Sequence, residues 1–131
     1  MSAAPSPVVV PPWLRFLLRA GLPINATGAL IFAPPFPFVR EFFGLPGGHA
    51  LYLWVLSTWI FAFGVGYWVV GTTGRADRTF LGTSAAGKAS FAIFLAVFAA
   101  SGELPPVAVL LGLPDLAMAA LFARWLLATR A

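Results

Sequence analysis

Residues 51–70 read LYLWVLSTWIFAFGVGYWVV, a run of 20 residues without a charged side chain. An α-helix of about 20 apolar residues crosses the roughly 30 Å hydrocarbon core of a bilayer. Tyr52 and Trp54 stand near one end of the run, and Tyr67 and Trp68 stand near the other. Aromatic rings of this kind favour the two membrane interfaces. The stretch therefore predicts a transmembrane helix.

Three further apolar stretches have a similar length. Pro12 suits the first turn of a helix and the pair Pro34-Pro35 suits a stop, because proline has no amide hydrogen to donate. We predict an all-α membrane protein with four transmembrane helices in an up-down bundle, at about residues 12–32, 51–70, 80–101 and 106–127. Residues 1–131 then form a single transmembrane domain, in which the proline-rich residues 1–11 are expected to be a mobile tail.

The composition supports the same class of protein. Apolar residues make up 60% of the chain and charged residues 9%, against about 45–50% and about 25% in soluble domains. The absence of cysteine excludes disulfides and thiolate metal sites. The net charge of +4 comes from single basic residues that flank apolar stretches. Lipid headgroups are therefore the expected anionic neighbours, and nucleic acid is not an expected partner.

The placement of the basic residues predicts the orientation, because an excess of Lys and Arg marks the cytoplasmic side. Arg40 falls on one side of the predicted bundle. The other seven of the eight basic residues fall toward the opposite side: Arg15, Arg19, Arg75, Arg78, Lys88, Arg124 and Arg130. Both termini are therefore predicted to be cytoplasmic. The phenylalanine-rich connection at residues 34–46 is too short to span, and it predicts a short interfacial helix between the first two spans.

Lys88 and Asp115 are the candidate functional residues inside the bundle. An ionised group near the bilayer centre costs at least about 2.5–3.5 kcal/mol, so it persists when it is paired or functional. With a rise of about 1.5 Å per residue, Lys88 lies about 12 Å and Asp115 about 18 Å from the cytoplasmic helix ends. We predict an ion pair, which either fixes helix register or serves as a relay or a ligand counter-charge. If Pro114 broke the fourth helix, Asp115 would cap a half-helix, which favours a binding site.

Two polar residues of the first stretch extend this set. Arg19 lies about 10 Å into the stretch, where it can reach back to the interface or compete with Lys88 for Asp115. Asn25 lies on a stripe of small residues with Gly21 and Gly28, which predicts a face packed against another helix. His49, the only histidine, is expected to be an interfacial loop residue.

No catalytic motif is evident in the sequence. It contains no nucleophile beside a base, no paired carboxylates, no phosphate-binding loop and no zinc-ligand spacing. A two-histidine haem site within one chain is excluded by the single histidine. We therefore expect a protein without a cofactor or metal, and enzymatic function is disfavoured.

Several segments in order resemble a group of short bacterial four-span membrane proteins of unassigned function. The resemblance covers roughly residues 14–128. Its segments are Leu18-Arg19-Ala20-Gly21, Phe63-Gly64-Val65-Gly66-Tyr67, Ala86-Gly87-Lys88, Gly102-Glu103-Leu104-Pro105 and Asp115-Leu116. The resemblance implies the four-span architecture and a multi-pass location in the bacterial inner membrane. It also implies one polar cluster, made of Arg19, Asn25, Tyr67, Lys88 and Asp115.

Two hypotheses about function follow. The leading one is a non-enzymatic accessory or scaffold subunit, which holds a lipid or a small apolar ligand at its inner polar cluster. The alternative is a small transporter or channel that uses the Lys88 and Asp115 pair. The expected partners are the lipid bilayer and, as open alternatives, further copies of the chain or a larger membrane complex.

Overall fold

The computed structural model describes residue 3 and residues 8–130. The chain is mostly helical, at 78%. The helices are α1 (Pro12–Phe32), α2 (Pro37–Phe42), α3 (Ala50–Thr73), α4 (Arg78–Ala100), a 3₁₀ helix (Pro106–Gly112) and α5 (Leu113–Ala128), and two short strands are β1 (Val8–Val9) and β2 (Arg75–Ala76). All four stretches that the sequence marks as apolar are thus helical.

Three helical segments in the described part of the chain are long and apolar enough to cross a membrane. They are Ala50–Thr73, Arg78–Ala100 and the continuous segment Pro106–Ala128, with 24, 23 and 23 residues. This content is typical of a membrane protein, as the sequence predicts. The 21-residue helix α1 is not among the three, and it is the one that carries two arginines and an asparagine in its interior.

The long helices pack as two antiparallel hairpins. In the first, α1 lies against α3: Ser57 Oγ donates to Ala29 O at 2.7 Å, and a Cβ atom added to Gly64 would lie 2.7 Å from the Cβ atom of Asn25. In the second, α4 lies against α5 and the 3₁₀ helix, where a Cβ atom on Gly112 would lie 2.9 Å from Ala92 Cα. Small residues at these crossings let the backbones approach closely.

Arginine side chains cap two helix C-termini at one end of the bundle. Arg15 donates to Gly71 O at 3.1 Å and to Thr72 O at 2.8 Å. Arg78 donates to Leu126 O at 2.6 Å. The last carbonyls of a helix lack partners within the helix, and a cation there also interacts favourably with the helix dipole. The end that holds these two arginines, where α1 and α4 begin, is called the arginine end, and the opposite end is called the loop end.

At the loop end, the buried Arg40 of α2 plays the same part. It is 7% exposed, and its Nη1 donates to Ile31 O at 2.7 Å and to Ala33 O at 2.9 Å. These are carbonyls at the end of α1, where the following prolines cannot continue the helix. The short helix predicted between the first two spans is therefore present as α2, and the hydrogen bonds of Arg40 hold it against the end of α1.

The two hairpins meet most closely toward the arginine end. Rings from α3, α4 and α5 pack there, with Tyr67 5.8 Å from Phe80 and 5.6 Å from Phe122 between centroids. The largest fully buried side chains all belong to this core cluster: Tyr67, Phe122, Leu14, Leu18 and Leu81. The interior of the arginine end is therefore filled with side chains.

The prediction of a mobile tail over residues 1–11 was wrong for the part that the structure describes next to α1. Val8 pairs with Ala76 and Val9 with Arg75 in an antiparallel ladder, and Val10 is 3% exposed. Three consecutive valines favour extended structure, and the short α3–α4 connection offers them a partner strand. The rest of the prediction, at residues 1–2 and 4–7, lies outside the described residues.

Candidate functional site

Asp115 lies where the fourth helical segment changes type. Pro114 has no N–H to donate to Leu110 O, so one α-helical hydrogen bond is missing. Leu113 N donates to Leu110 O instead, which is a 3₁₀ bond. The segment was predicted as one helix, and it is helical throughout, but its first seven residues are 3₁₀. Asp115 is thus in the first turn of α5, where the helix dipole favours a negative charge.

Lys88 of α4 forms the ion pair with Asp115 that the sequence predicts. Lys88 is 8% exposed, and its Nζ also donates to Asn25 Oδ1 at 3.1 Å. The same nitrogen lies 5.4 Å from the centroid of the Tyr67 ring, within the range of a cation–π contact. An ammonium group has three donors. Asp115 and Asn25 accept from two of them, and Asp115 and the Tyr67 ring lie near the positive charge.

Asn25 connects this pair to the other hairpin. Its oxygen accepts from Lys88, and its Nδ2 donates to Ile60 O at 2.8 Å. Both the oxygen and the nitrogen of the side-chain amide are therefore hydrogen-bonded, and Asn25 is only 6% exposed. The polar network formed by Asn25, Lys88, Asp115 and the Tyr67 ring consequently touches α1, α3, α4 and α5.

Arg19 lies apart from this network, contrary to the cluster that the resemblance implies. Its Nε donates to Gly71 O at 3.2 Å, beside Arg15 at the C-terminus of α3. Six residues of helix, about 9 Å, separate Arg19 from Asn25. The free carbonyls at the end of α3 are nearer to Arg19 than Asp115 is, so the arginine binds them.

A cavity of about 780 Å³ lies between the two hairpins, beside the polar network. Its polar lining includes Asn25, Tyr67, Lys88 and Asp115. Its walls are mainly apolar and include Ile24, Phe32, Trp59, Phe63, Phe91 and Leu110. Ligand sites of proteins have volumes of roughly 300–1,000 Å³ with apolar walls and a few placed polar groups. The cavity has this composition.

Ser84 and Gly87 also line the cavity, and neither was predicted as a site residue. Ser84 is 2% exposed. Its Oγ makes no hydrogen bond of standard geometry among the described residues, and the Tyr67 hydroxyl is the hydrogen-bonding group beside it. At Gly87, an added Cβ atom would have no described heavy atom within 4 Å, so the cavity reaches the α4 backbone there. The only signal for Ser84 was its position four residues before Lys88, on the same helix face.

His49 has a local role at the start of α3. Its Nδ1 accepts from Leu51 N at 3.2 Å, which satisfies one of the free N–H groups of the first turn. Within the residues that the structure describes, no three side chains of the metal-ligating types His, Asp and Glu come together.

The chain matches no known protein family, no curated protein and no solved structure. Any assignment of function must therefore come from the geometry of the site.

A double-mutant cycle tests the energetic role of the ion pair. Lys88→Met and Asp115→Asn should each lower the free energy of unfolding by about 3–5 kcal/mol, because each leaves one charge buried without its partner. The double variant should lose less than the sum of the two. Unfolding by sodium dodecyl sulfate in mixed micelles measures all three, with Glu103→Gln at the exposed loop end as the control. Additive losses in the double variant would contradict the pairing.

Proposed function

We propose that this chain is a small integral membrane protein, a non-enzymatic accessory or scaffold subunit, that holds a lipid or a small apolar ligand in the cavity between its hairpins. The observation that carries the proposal is the cavity itself, with apolar walls and a hydrogen-bonded ion pair at its polar side. A lipid-soluble molecule matches the walls, and a polar group on that molecule matches the network.

We also propose that the chain crosses the membrane four times. Helix α1 has 21 residues, which is about 30 Å of helix and enough to cross the hydrocarbon core. It runs antiparallel to α3 along its length and keeps its arginines at the arginine end, so it would cross the bilayer wherever α3 does. The arginine end, with both termini, is assigned to the cytoplasm by its positive charge, and α2 to the opposite interface. We further propose the bacterial inner membrane as its location, because the sequence resembles short bacterial four-span proteins.

The lipid phase offers a route to the cavity. Its lining includes Trp59 of α3 and Leu110 of the 3₁₀ helix, which are 63% and 54% exposed. The cavity therefore extends to the outer surface of the helices rather than being closed on all sides. In a bilayer that surface faces hydrocarbon, so an apolar ligand could enter without crossing an aqueous phase.

Packing at the arginine end supports ligand holding over the alternative, a small transporter or channel. A pathway across the membrane would have to continue from the cavity to the arginine end. Leu14, Leu18, Tyr67 and Phe122, which are 0–1% exposed, fill the interior there. A transporter that used this ion pair would need Lys88 to change partners during transport. The contacts of Lys88 with Asp115, Asn25 and the Tyr67 ring oppose such a change.

Labelling of single cysteines tests the proposed topology, because the chain contains no cysteine of its own. Gly47→Cys at the loop end should react with a membrane-impermeant maleimide in intact spheroplasts. Ala3→Cys should react only after the membrane is permeabilised. Equal reaction of both variants before permeabilisation, or the reverse pattern, would contradict four spans with cytoplasmic termini.

Native mass spectrometry of the protein in mild detergent tests the proposed function. The wild type should retain a lipid or small molecule, and a foreign subunit released with it would identify the complex that the protein serves. Gly87→Leu should lose the small molecule, because the new side chain enters the cavity. Since glycine is a poor helix former, this variant should fold at least as well as the wild type.

Ala120→Leu is the matched control for that experiment. Ala120 lies at a similar depth on α5, is exposed and is outside the cavity lining. This variant should retain the small molecule. If the wild type and Gly87→Leu carry the same molecules in the same amounts, the cavity is not the binding site and the proposed function is wrong.

A further inference from the structure

We propose that Arg15 and Arg19 form a binding site for the phosphate group of an anionic phospholipid. The site lies against the C-terminus of α3, at the arginine end, and neither arginine lines the cavity. The inference goes beyond the proposed function, and it needs only that the arginine end lies at a membrane surface. It is carried by two guanidinium groups that meet at one carbonyl oxygen.

The two arginine side chains come together at the last turn of α3. Arg15 Nε donates to Gly71 O at 3.1 Å, and Arg19 Nε donates to the same oxygen at 3.2 Å. The two Nε atoms are therefore separated by no more than the sum of these distances. Two positive charges at such a separation repel each other. A negative charge bound to both groups would remove that repulsion.

Glycines of α3 make room for both side chains. A Cβ atom added to Gly71 would lie 3.0 Å from Arg19 Cγ, and one added to Gly74 would lie 3.2 Å from Arg15 Cζ. Gly74 also ends α3 with a φ of 70°, a conformation that glycine adopts without steric cost. Both arginines can therefore lie directly against the end of α3, with their positions fixed by the backbone.

Most of the N–H groups of the pair are left for a ligand. A guanidinium group carries five N–H donors. Within the residues that the structure describes, Arg15 donates from Nε and from Nη2, and Arg19 donates from Nε alone. Arg19 is exposed and Arg15 is half-buried, so their other N–H groups can reach a molecule at the protein surface.

No acidic side chain neutralises the two arginines in the described part of the chain, where Lys88 and Asp115 form the one ion pair. The chain has four acidic side chains in all. Asp77, near the arginine end, accepts from N–H groups in the first turn of α4. Glu41 and Glu103 lie at the loop end. The arginine pair therefore requires a counter-ion from outside these side chains.

The surroundings of the pair favour a phosphate that carries lipid chains. Phe16, next to Arg15 on α1, is 75% exposed, and Trp68, one turn before Gly71 on α3, is 44% exposed. Exposed tryptophan rings favour the membrane interface, so the guanidinium groups lie at the depth of lipid headgroups. Arginine binds phosphate oxygens with two parallel N–H groups. A zwitterionic lipid brings its own cation, so a lipid with net negative charge binds better.

Native mass spectrometry with defined lipids tests the site. The full-length protein in mild detergent is titrated with phosphatidylglycerol or with phosphatidylcholine that has the same acyl chains. We expect one phosphatidylglycerol to bind at least about tenfold more tightly, as for one hydrogen bond between charged groups. Arg19→Gln should remove most of this preference. Its fold should hold, because Arg15 still caps α3 and a glutamine amide can donate to Gly71 O.

Arg124→Gln is the matched control. Arg124 is exposed on α5 of the other hairpin, and its replacement removes the same charge from the chain. This variant should keep the preference for phosphatidylglycerol. Gly87→Leu should also keep it, because that change fills the cavity and leaves both arginines in place. Inorganic phosphate at millimolar concentration should not displace the lipid, since it lacks the acyl chains.

The outcomes separate this site from the cavity. Equal affinity of the wild type for the two lipids, or equal losses in Arg19→Gln and Arg124→Gln, would overturn the site. Displacement by inorganic phosphate would make free phosphate the ligand and would also overturn the inference. If Gly87→Leu loses phosphatidylglycerol while Arg19→Gln keeps it, the lipid lies in the cavity, which supports the proposed function and contradicts the arginine site.

Discussion

The Lys88 ammonium group is the contact on which the arrangement of the four long helices depends. It pairs with Asp115 of α5, donates to Asn25 of α1, and lies over the Tyr67 ring of α3. A buried charge is tolerated only when its partners are complete, so this one group requires all four helices to keep their positions. The helix faces that meet at Lys88 are therefore fixed relative to one another near the middle of the bundle.

The helices pack closely on one side of Lys88 and leave a cavity on the other side. Within each hairpin, Gly64 and Gly112 bring backbones into contact, and arginines fasten the helix ends. Between the hairpins, large side chains meet at the arginine end, but beyond Lys88 the space is left as a cavity. The ion pair thus lies at the boundary between a filled core and the cavity, so the same polar groups hold the helices together and line the cavity.

Much of this arrangement was predictable from the sequence, because apolar length and charge placement act locally. The length of the apolar run at residues 51–70 and the aromatic residues at its two ends predicted a helix. The depths of Lys88 and Asp115 along their helices predicted that the two side chains pair. Asn25 was marked by its small neighbours. These signals need only helix geometry and the cost of a charge in an apolar medium.

Other features depend on tertiary proximity and were missed. Ser84 carries no charge, and the residues next to it in the sequence do not show that its side chain lines a cavity. Arg40 and Arg19 bind carbonyls at the ends of other helix segments, and a carbonyl has no sequence signature. The pairing of Val8 and Val9 with the α3–α4 connection is non-local in the same way. Charge identifies a residue that needs a partner, but the fold determines which partner it finds.

The most direct test of the account is the environment of the Lys88 side chain in a bilayer. Lys88 is the only lysine in the chain, so a ¹⁵Nζ label reports on it alone in solid-state NMR. The account predicts a charged ammonium signal with a strong dipolar coupling to an aspartate ¹³Cγ, a coupling that Asp115→Asn removes and Asp77→Asn leaves in place. An uncharged amine signal, or an ammonium group without that coupling, would contradict the central role of the pair.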